Sequence, residues 1–383
     1  MNILVTGAAG FIGSNFVHYY MAKHPEDKII VLDKLTYAGN LRNLSPLADK
    51  RKVVGVEGEK YEDVTKENLE YGEIIGEGQF RFVKGDICDA ELVAKIFRTF
   101  SIDGVIHFAA ESHVDNSIKN PSIFVETNVL GTQVLLNIAR KTWGEGSSNK
   151  FVHISTDEVY GSLAPKDPSA SSADALLARS MSNTSRSGAP ASSHLGPYLQ
   201  DYFTELSPYQ PNSPYSASKA GSDMIARAYF ETFKMNINIT NCSNNYGPYQ
   251  HPEKLIPTII RKALADEKVP VYGNGMNVRD WLYVEDHCIA IDLVFHEAPA
   301  GEKYCIGGHN EMHNIDIVKL ILKQLGKSED LIEFVEDRKG HDLRYAIDPT
   351  KIGEELGWKP ETAFADGIVR TVEWYMEHKD FVL

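Results

Sequence analysis

Five residues have types and spacings that could carry out chemistry together: Thr156, Asp157, Glu158, Tyr215 and Lys219. The run Ser155-Thr156-Asp157-Glu158-Val159-Tyr160-Gly161 sets two adjacent carboxylates directly after Lys150-Phe151-Val152-His153-Ile154. That run reads as a buried parallel strand. In open α/β sheets, reacting groups gather just past the carboxyl ends of such strands. Further on, Pro214-Tyr215-Ser216-Ala217-Ser218-Lys219 opens a helical pattern, so Tyr215 and Lys219, four apart, share one helix face. A phenol ordinarily titrates near ~10, and a neighbouring cation favours the phenolate, which makes it a usable base toward a sugar hydroxyl. Oxidation of an alcohol by hydride transfer needs such a base. Asp157 and Glu158 add an acid to protonate a leaving hydroxyl and a base to take a proton from carbon. The set therefore implies oxidation followed by elimination. Each part has a plainer reading as well: a Tyr and a Lys four apart occur on many helices by chance, and an Asp-Glu pair at a strand end often caps the next turn.

These residues must be positioned by the elements around them. Met1-Asn2-Ile3-Leu4-Val5-Thr6 is a strand that runs through Gly7, Gly10 and Gly13 into a helix. The glycines permit a tight turn and close backbone approach, and the helix start offers free N–H groups to a pyrophosphate. The next strand, Ile29 to Leu32, ends on Asp33, where an acid would hydrogen-bond both ribose hydroxyls, so NAD is expected rather than NADP. Residues 45–79 read as a polar surface insertion before the strand that ends at Asp86, which is placed to meet an adenine ring. Gly104 to Ala110 is a further strand, and Ser112 and His113 after it are expected to face the reaction centre; His113 could also be an ordinary loop histidine. A helix from Asn120 to Thr142 leads back to the acids. Residues 162–202, rich in Ser, Ala, Pro and Gly, read as a second insertion, lying between the two halves of the proposed site. Later, Asn244 and Asn245 offer side-chain amides, Arg279 has Trp281 beside it, and Asp337 to Tyr345 forms a second basic cluster.

The totals exclude several classes. The 383 residues suffice for two domains. With 39 basic and 53 acidic side chains the net charge is −14, which argues against nucleic acid or an anionic membrane as partner. Cys88, Cys242, Cys288 and Cys305 are far apart and lack metal-ligand spacing, so no metal site is expected and a reduced cytoplasmic location fits. No leader-like start or long apolar run is seen, and neither export by that route nor a membrane span is expected.

Taken together, Thr156-Asp157-Glu158, Ala110-Glu111-Ser112-His113-Val114-Asp115, Asp33-Lys34-Leu35-Thr36-Tyr37-Ala38-Gly39-Asn40, Asn241 to Gly247 and Gly340-His341-Asp342 give a chain that resembles the extended short-chain dehydrogenase/reductases. Within them it resembles the dTDP-glucose 4,6-dehydratase family. The resemblance implies an α/β fold, a Rossmann-type doubly wound parallel sheet over residues 1–245, with a smaller C-terminal α/β substrate-binding domain over 246–383 that sends some segments back to the first. It implies NAD as cofactor, contacted by Gly7, Gly10, Phe11, Ile12, Gly13, Asp33, Lys34, Thr36, Asp86, Ile87, Ala110, Ser112, Thr127, Tyr215, Lys219 and Asn245. It implies a nucleotide-sugar substrate, dTDP-glucose, held by His113, Thr156, Asn244, Lys254, Leu255, Pro270, Tyr272, Arg279, Asn314, Arg338 and His341. Lys219 would lower the pKa of Tyr215, and the protein would be a homodimer joined through helices. Asn116 and Lys339 depart from the family pattern, where Arg and Pro are common, which bears on fine substrate contacts. A 4-epimerase of the same fold would keep Tyr215 and Lys219 but lack the adjacent acids. A dehydratase of another nucleotide-sugar stays open, and a noncatalytic NAD sensor would be expected to have lost one of the five.

Overall fold

Strands buried on both faces must be covered by helices on both sides, and the first strands of this chain have that pattern: in Asn2–Thr6, Lys28–Asp33, Gly104–His107 and Lys150–Thr156 nearly every residue is buried. The computed structural model describes residues 1–52, 61–163, 201–337 and 341–381. Its main sheet has eight strands in the order Lys303–Ile306, Asn236–Cys242, Lys150–Thr156, Gly104–His107, Asn2–Thr6, Lys28–Asp33, Phe80–Lys84, Ile74–Ile75. All pair in parallel except the edge strand Ile74–Ile75. The chain begins in the middle at Asn2–Thr6, winds outward to Phe80–Lys84, and crosses back to Gly104–His107. The order reverses between Thr6 and its register partner His107, and the crevice beyond the carboxyl ends there is where such sheets bind ligands.

Alternate residues of each strand face opposite sides. Ile3, Val5, Ile29 and Val31 pack on Phe16, Val17 and Tyr20 of the helix Phe11–Lys23 and on Ile291, Val294 and Phe295 of the helix Val284–Glu297. Leu4, Ile30, Leu32 and Val105 pack on the other side with Val93, Ile96 and Phe97, Leu135 and Leu136, and Ala226, from the helices Ala90–Phe100, Thr132–Trp143 and Pro214–Phe233. A separate core around Tyr246, Ile256, Ile260, Trp281, Ile317, Ile321 and Tyr375 joins the sheet Asn244–Tyr246, Val278–Tyr283, Glu311–His313 and the pair Val269–Tyr272, Ile332–Val335 to three helices. This is a smaller α/β body made from the later chain, and Val284–Glu297 and Lys303–Ile306 return from it to the main sheet.

Two expectations need correction, and a third falls mostly beyond what the structure describes. The stretch 45–79 is not purely a surface insertion, because Ala48, Val64, Leu69 and Ile75 are buried in the first core and Ile75 pairs with Phe82. The expected helix from Asn120 to Thr142 is three successive pieces, Pro121–Phe124, a π-helical Val125–Gly131 and Thr132–Trp143. Most of the expected insertion at 162–202 lies outside the described residues; at its borders Leu163 bridges to Arg344 and Phe203 to Ile347. Among the described residues no helix is long and apolar enough to cross a membrane.

Candidate active site

After Thr6 the chain turns at Gly7 with φ +72, and a Cβ there would stand 2.6 Å from the Ala109 backbone, so only glycine fits. The helix Phe11–Lys23 starts at Gly10 with no side-chain cap, which leaves its first N–H groups for an anionic ligand. Gly13 lies against Ala8, 2.7 Å from where a Cβ would be. At the end of its strand, Asp33 accepts hydrogen bonds from Ala9 N at 2.9 Å and Leu35 N at 2.8 Å. Asp33 thus also secures the turn, as the plainer reading of a strand-end acid holds; burial raises its pKa against the pull of those two N–H groups. Lys34 and Asp86 pair at 2.6 Å. Every residue expected to meet the dinucleotide, from Gly7 to Asn245, lines a single cleft, and Thr156, Glu158, Asn244 and Lys254 line it too.

The two acids part company at the end of Lys150–Thr156. Thr156 caps the 3-10 turn Asp157–Tyr160, its hydroxyl accepting from Glu158 N and donating to Asp157 Oδ1, both at 3.3 Å. This turn leaves Glu158 on the cleft and sends Asp157 behind it, 1% exposed, with Oδ2 lacking a hydrogen-bond partner among the described residues. Burial, then the charges of Glu158 and Asp280, push the Asp157 carboxyl well above the usual carboxylate range, and Arg279 opposes only part of this. Such an environment favours the neutral, protonated form of a carboxyl.

Opposite stands the helix Pro214–Phe233, started by a capping box between Ser213 and Ser216 with Pro at its first turn. It carries Tyr215, edge-on to the Phe124 ring at 6.3 Å, and Lys219, whose Nζ donates to Ile154 O at 2.8 Å. The expected lowering of the Tyr215 pKa by Lys219 is not what this environment gives: burial, followed by the Glu158 charge, pushes the phenol well above its ordinary value. Lys219 is itself desolvated and its pKa is lowered. Beneath it Asp223 pairs with His153 at 3.1 Å and accepts from Tyr209 OH at 2.9 Å and Asn241 Nδ2 at 3.1 Å.

A model of the NAD dependent epimerase/dehydratase family matches residues 3–307. The chain is 44% identical to dTDP-glucose 4,6-dehydratase from Salmonella typhimurium, an alignment spanning 100% of this chain and 94% of that one. The chain belongs to the dTDP-glucose 4,6-dehydratase family. A solved dehydratase, DesIV from Streptomyces venezuelae with NAD and TYD bound, is 44% identical with a TM-score of 0.79, and the match covers 100% of this chain and 98% of that one. UDP-glucose 4-epimerase from Thermotoga maritima, solved with UDP-glucose, is 25% identical with a TM-score of 0.76 over 99% and 100% of the two chains. The dehydratases and epimerases thus share this fold, and the higher identity lies with the dehydratases.

The residues that the dehydratase resemblance assigns to the nucleotide-sugar are spread more widely. Lys254 donates to Ser112 O at 3.3 Å, and Leu255 begins the helix Leu255–Leu264. His113 does not line the cleft; its Nδ1 accepts from Asn116 N at 3.3 Å to cap a short helix, and its Nε2 lies 3.6 Å from Glu253. Arg279 donates to Val278 O at 2.8 Å and Asp342 O at 3.0 Å and lies over the ring of Tyr345, at 4.3 Å, rather than pairing with Trp281. Pro270 and Tyr272 are on the strand Val269–Tyr272, with His341 edge-on to Tyr272 at 6.4 Å and bonded to Asp337 at 2.6 Å. Asn314 opens its helix with Oδ1 buried and unbonded among the described residues. Arg338 lies outside the described residues. Of the expected basic cluster, Arg344 is held by Glu311 at 2.7 Å, and Lys339, like Arg338, lies outside the described residues.

Two residues, Asn128 and Tyr345, escaped sequence reading as site candidates. Asn128, in the π-helical turn, clasps the backbone of Glu111, accepting from its N at 2.8 Å and donating to its O at 3.0 Å, and donates to Ser218 Oγ at 2.8 Å. Tyr345 donates to Asp342, which also accepts from Asn212 Nδ2 at 2.7 Å. Burial and then the charge of Glu158 raise the Tyr345 pKa, which places this ring near the acid. Only the neighbouring Gly340-His341-Asp342 motif signalled that segment.

Proposed function

We infer that this chain converts dTDP-glucose to dTDP-4-keto-6-deoxyglucose and water, acting as an NAD-dependent hydro-lyase of deoxysugar (rhamnose) biosynthesis. One observation carries the reading: Glu158 lines the cleft with Tyr215 and Lys219, while its neighbour Asp157 sits behind it with its pKa raised. The residues fit NAD. The turn packs so closely on Ala109 and Ala8 that any Cβ at Gly7 or Gly13 would clash, the helix start is uncapped, and Asp33 lines the cleft with the nearby Lys34 already engaged by Asp86. When bound, NAD would supply the acceptor for the C4 hydride and the donor that returns it to C6, and would bring positive charge to the cleft.

The chain's own groups move the protons. Tyr215 takes the proton of the 4-hydroxyl, and Thr156 hydrogen-bonds the same oxygen. Lys219, which lines the same cleft, would hold the cofactor ribose, and the cofactor's positive charge would favour the phenolate that burial disfavours. Once C4 is a ketone the C5 proton is acidic, and Glu158 removes it while Asp157 protonates the departing C6 hydroxyl, which leaves as water. Glu158 then returns its proton to C5. The test is incubation with dTDP-glucose and no added NAD, followed by the alkali chromophore of a 4-keto-6-deoxy sugar. Turnover of a different nucleotide-sugar in place of dTDP-glucose would reassign the substrate, and a dTDP-galactose product would reassign the reaction as epimerisation.

Two further readings belong here. Ile118, Val125, Leu130 and Met224 are exposed apolar residues on or beside the packed Val125–Gly131 and Pro214–Phe233 helices, which supports a homodimer joined through these helices. All four cysteines are unpaired thiols, which supports residence in the reducing cytoplasm.

A further inference from the structure

At the far end of the helix Phe11–Lys23, about 20 Å from its uncapped start, lies a cluster that the dehydration does not use. His24 is the C-cap of that helix, and Asp292 and His296 stand one turn apart in the last turns of Val284–Glu297. None of the three lines the cleft. His24 Nε2 is 2.9 Å and His296 Nε2 is 3.4 Å from the same oxygen, Asp292 Oδ1, and one ligand atom from each residue lies within 4.8 Å of the other two. Ligand atoms around a tetrahedral zinc, with bonds of about 2.0–2.1 Å, stand about 3.3 Å apart. The donor set of two imidazoles and one carboxylate is therefore already gathered near metal-binding dimensions. Both helices also end here, and their last carbonyl groups surround the cluster with partial negative charge.

We propose that His24, Asp292 and His296 bind a divalent transition-metal ion of the zinc class, with water completing the coordination, so that the ion fastens the first helix to Val284–Glu297. The neighbouring groups accommodate it. Lys23 Nζ at 2.7 Å and Tyr19 OH at 3.4 Å both use Asp292 Oδ2, leaving Oδ1 for the ion. Tyr20 gives its hydroxyl proton to Asp27 at 2.8 Å, so at 3.0 Å it accepts from His296 Nε2. The ion takes the Nε2 position of that imidazole, whose one ring proton then sits on Nδ1. The two rings are stacked at 4.8 Å with 28° between their planes, and they fan apart to point both nitrogens at one ion; side-chain exposures of 24% and 32% leave room for this. Nitrogen donors favour zinc, nickel or copper over magnesium and calcium. Spacing along the chain could not reveal the site, because its parts come from residues 24 and 292–296.

The experiment is equilibrium dialysis of chelator-stripped, tag-free full-length protein against micromolar Zn2+, with Mg2+ as control, read by elemental analysis and by the shift in Tm. The wild type should take up one zinc per chain and melt at higher temperature with it, and magnesium should do neither. The His24→Ala/His296→Ala double variant should bind at least about tenfold more weakly. Lys23→Gln, which relieves Asp292 of a competing cation, should bind more tightly, and its direction decides the matter if the double variant does not fold. Absence of zinc from the wild type, undiminished binding by the double variant, or weaker binding by Lys23→Gln overturns the proposal.

Discussion

A carboxyl held behind a cleft and one held within it do different work although they are adjacent in sequence, and Asp157 and Glu158 show why. Burial raises the Asp157 pKa, so the folded chain keeps a proton that the unfolded chain sheds as pH passes the ordinary value near ~3.9. The stability tied to this proton is complete below that ordinary value and is lost as pH rises through the raised one. Asp157→Asn has nothing to ionise, so its Tm should fall less than that of the wild type between acidic and alkaline buffer. The same substitution removes the acid for the leaving hydroxyl: water loss should drop by ~10²–10⁴-fold while the C4 hydride is still taken, so reduced nicotinamide should accumulate on adding dTDP-glucose. Glu158→Gln should likewise block water loss after partial cofactor reduction; unaltered water loss would reassign the base. At this scale the gathering of Thr156, Glu158, Tyr215 and Lys219 on one cleft was legible because strand-end and i, i+4 relations are local. The direction of the Tyr215 shift was not, since burial and the Glu158 charge come from parts of the fold brought together only by its tertiary structure. The place of Tyr345 beside Asp342 was hidden for the same reason.

Among the elements, the π-helical turn Val125–Gly131 is the least visible in sequence, because one widened turn barely disturbs helical periodicity. It nonetheless sets Asn128 between the Glu111 backbone and the helix bearing Tyr215. Asn128→Ala leaves both buried backbone groups of Glu111 without their partner, and should lower the unfolding free energy by about 3 kcal/mol, measured by urea denaturation. At the start of the Tyr215 helix, Ser213→Ala should cost about 1 kcal/mol and lower kcat more than it raises KM, since the loosened first turn carries the phenol; a rise in KM alone would tell against that. The larger strands and helices could be read from apolar runs and glycines. The edge strand Ile74–Ile75 could not, since two residues carry no usable period.

For the molecule as a whole, the proposed pairing through the exposed apolar residues makes Val125→Glu the decisive substitution: sedimentation should show a dimer for the wild type and a monomer for the variant, and a dimer in both would place the interface elsewhere. The division into a sheet with helices on both faces and a smaller later body was legible in broad outline, because each has its own apolar periodicity. The return of Lys303–Ile306 to pair with Asn236–Cys242 closes the main sheet with a strand that the later body sends back. None of its four residues lines the cleft, but Cys242, at the end of the strand it joins, does, so the returning strand braces the sheet behind the crevice rather than walling it. A coenzyme held in that crevice and restored at the end of every cycle serves as a built-in tool, so the reaction should run at the same speed whether the surrounding cell is starved of electrons or flooded with them.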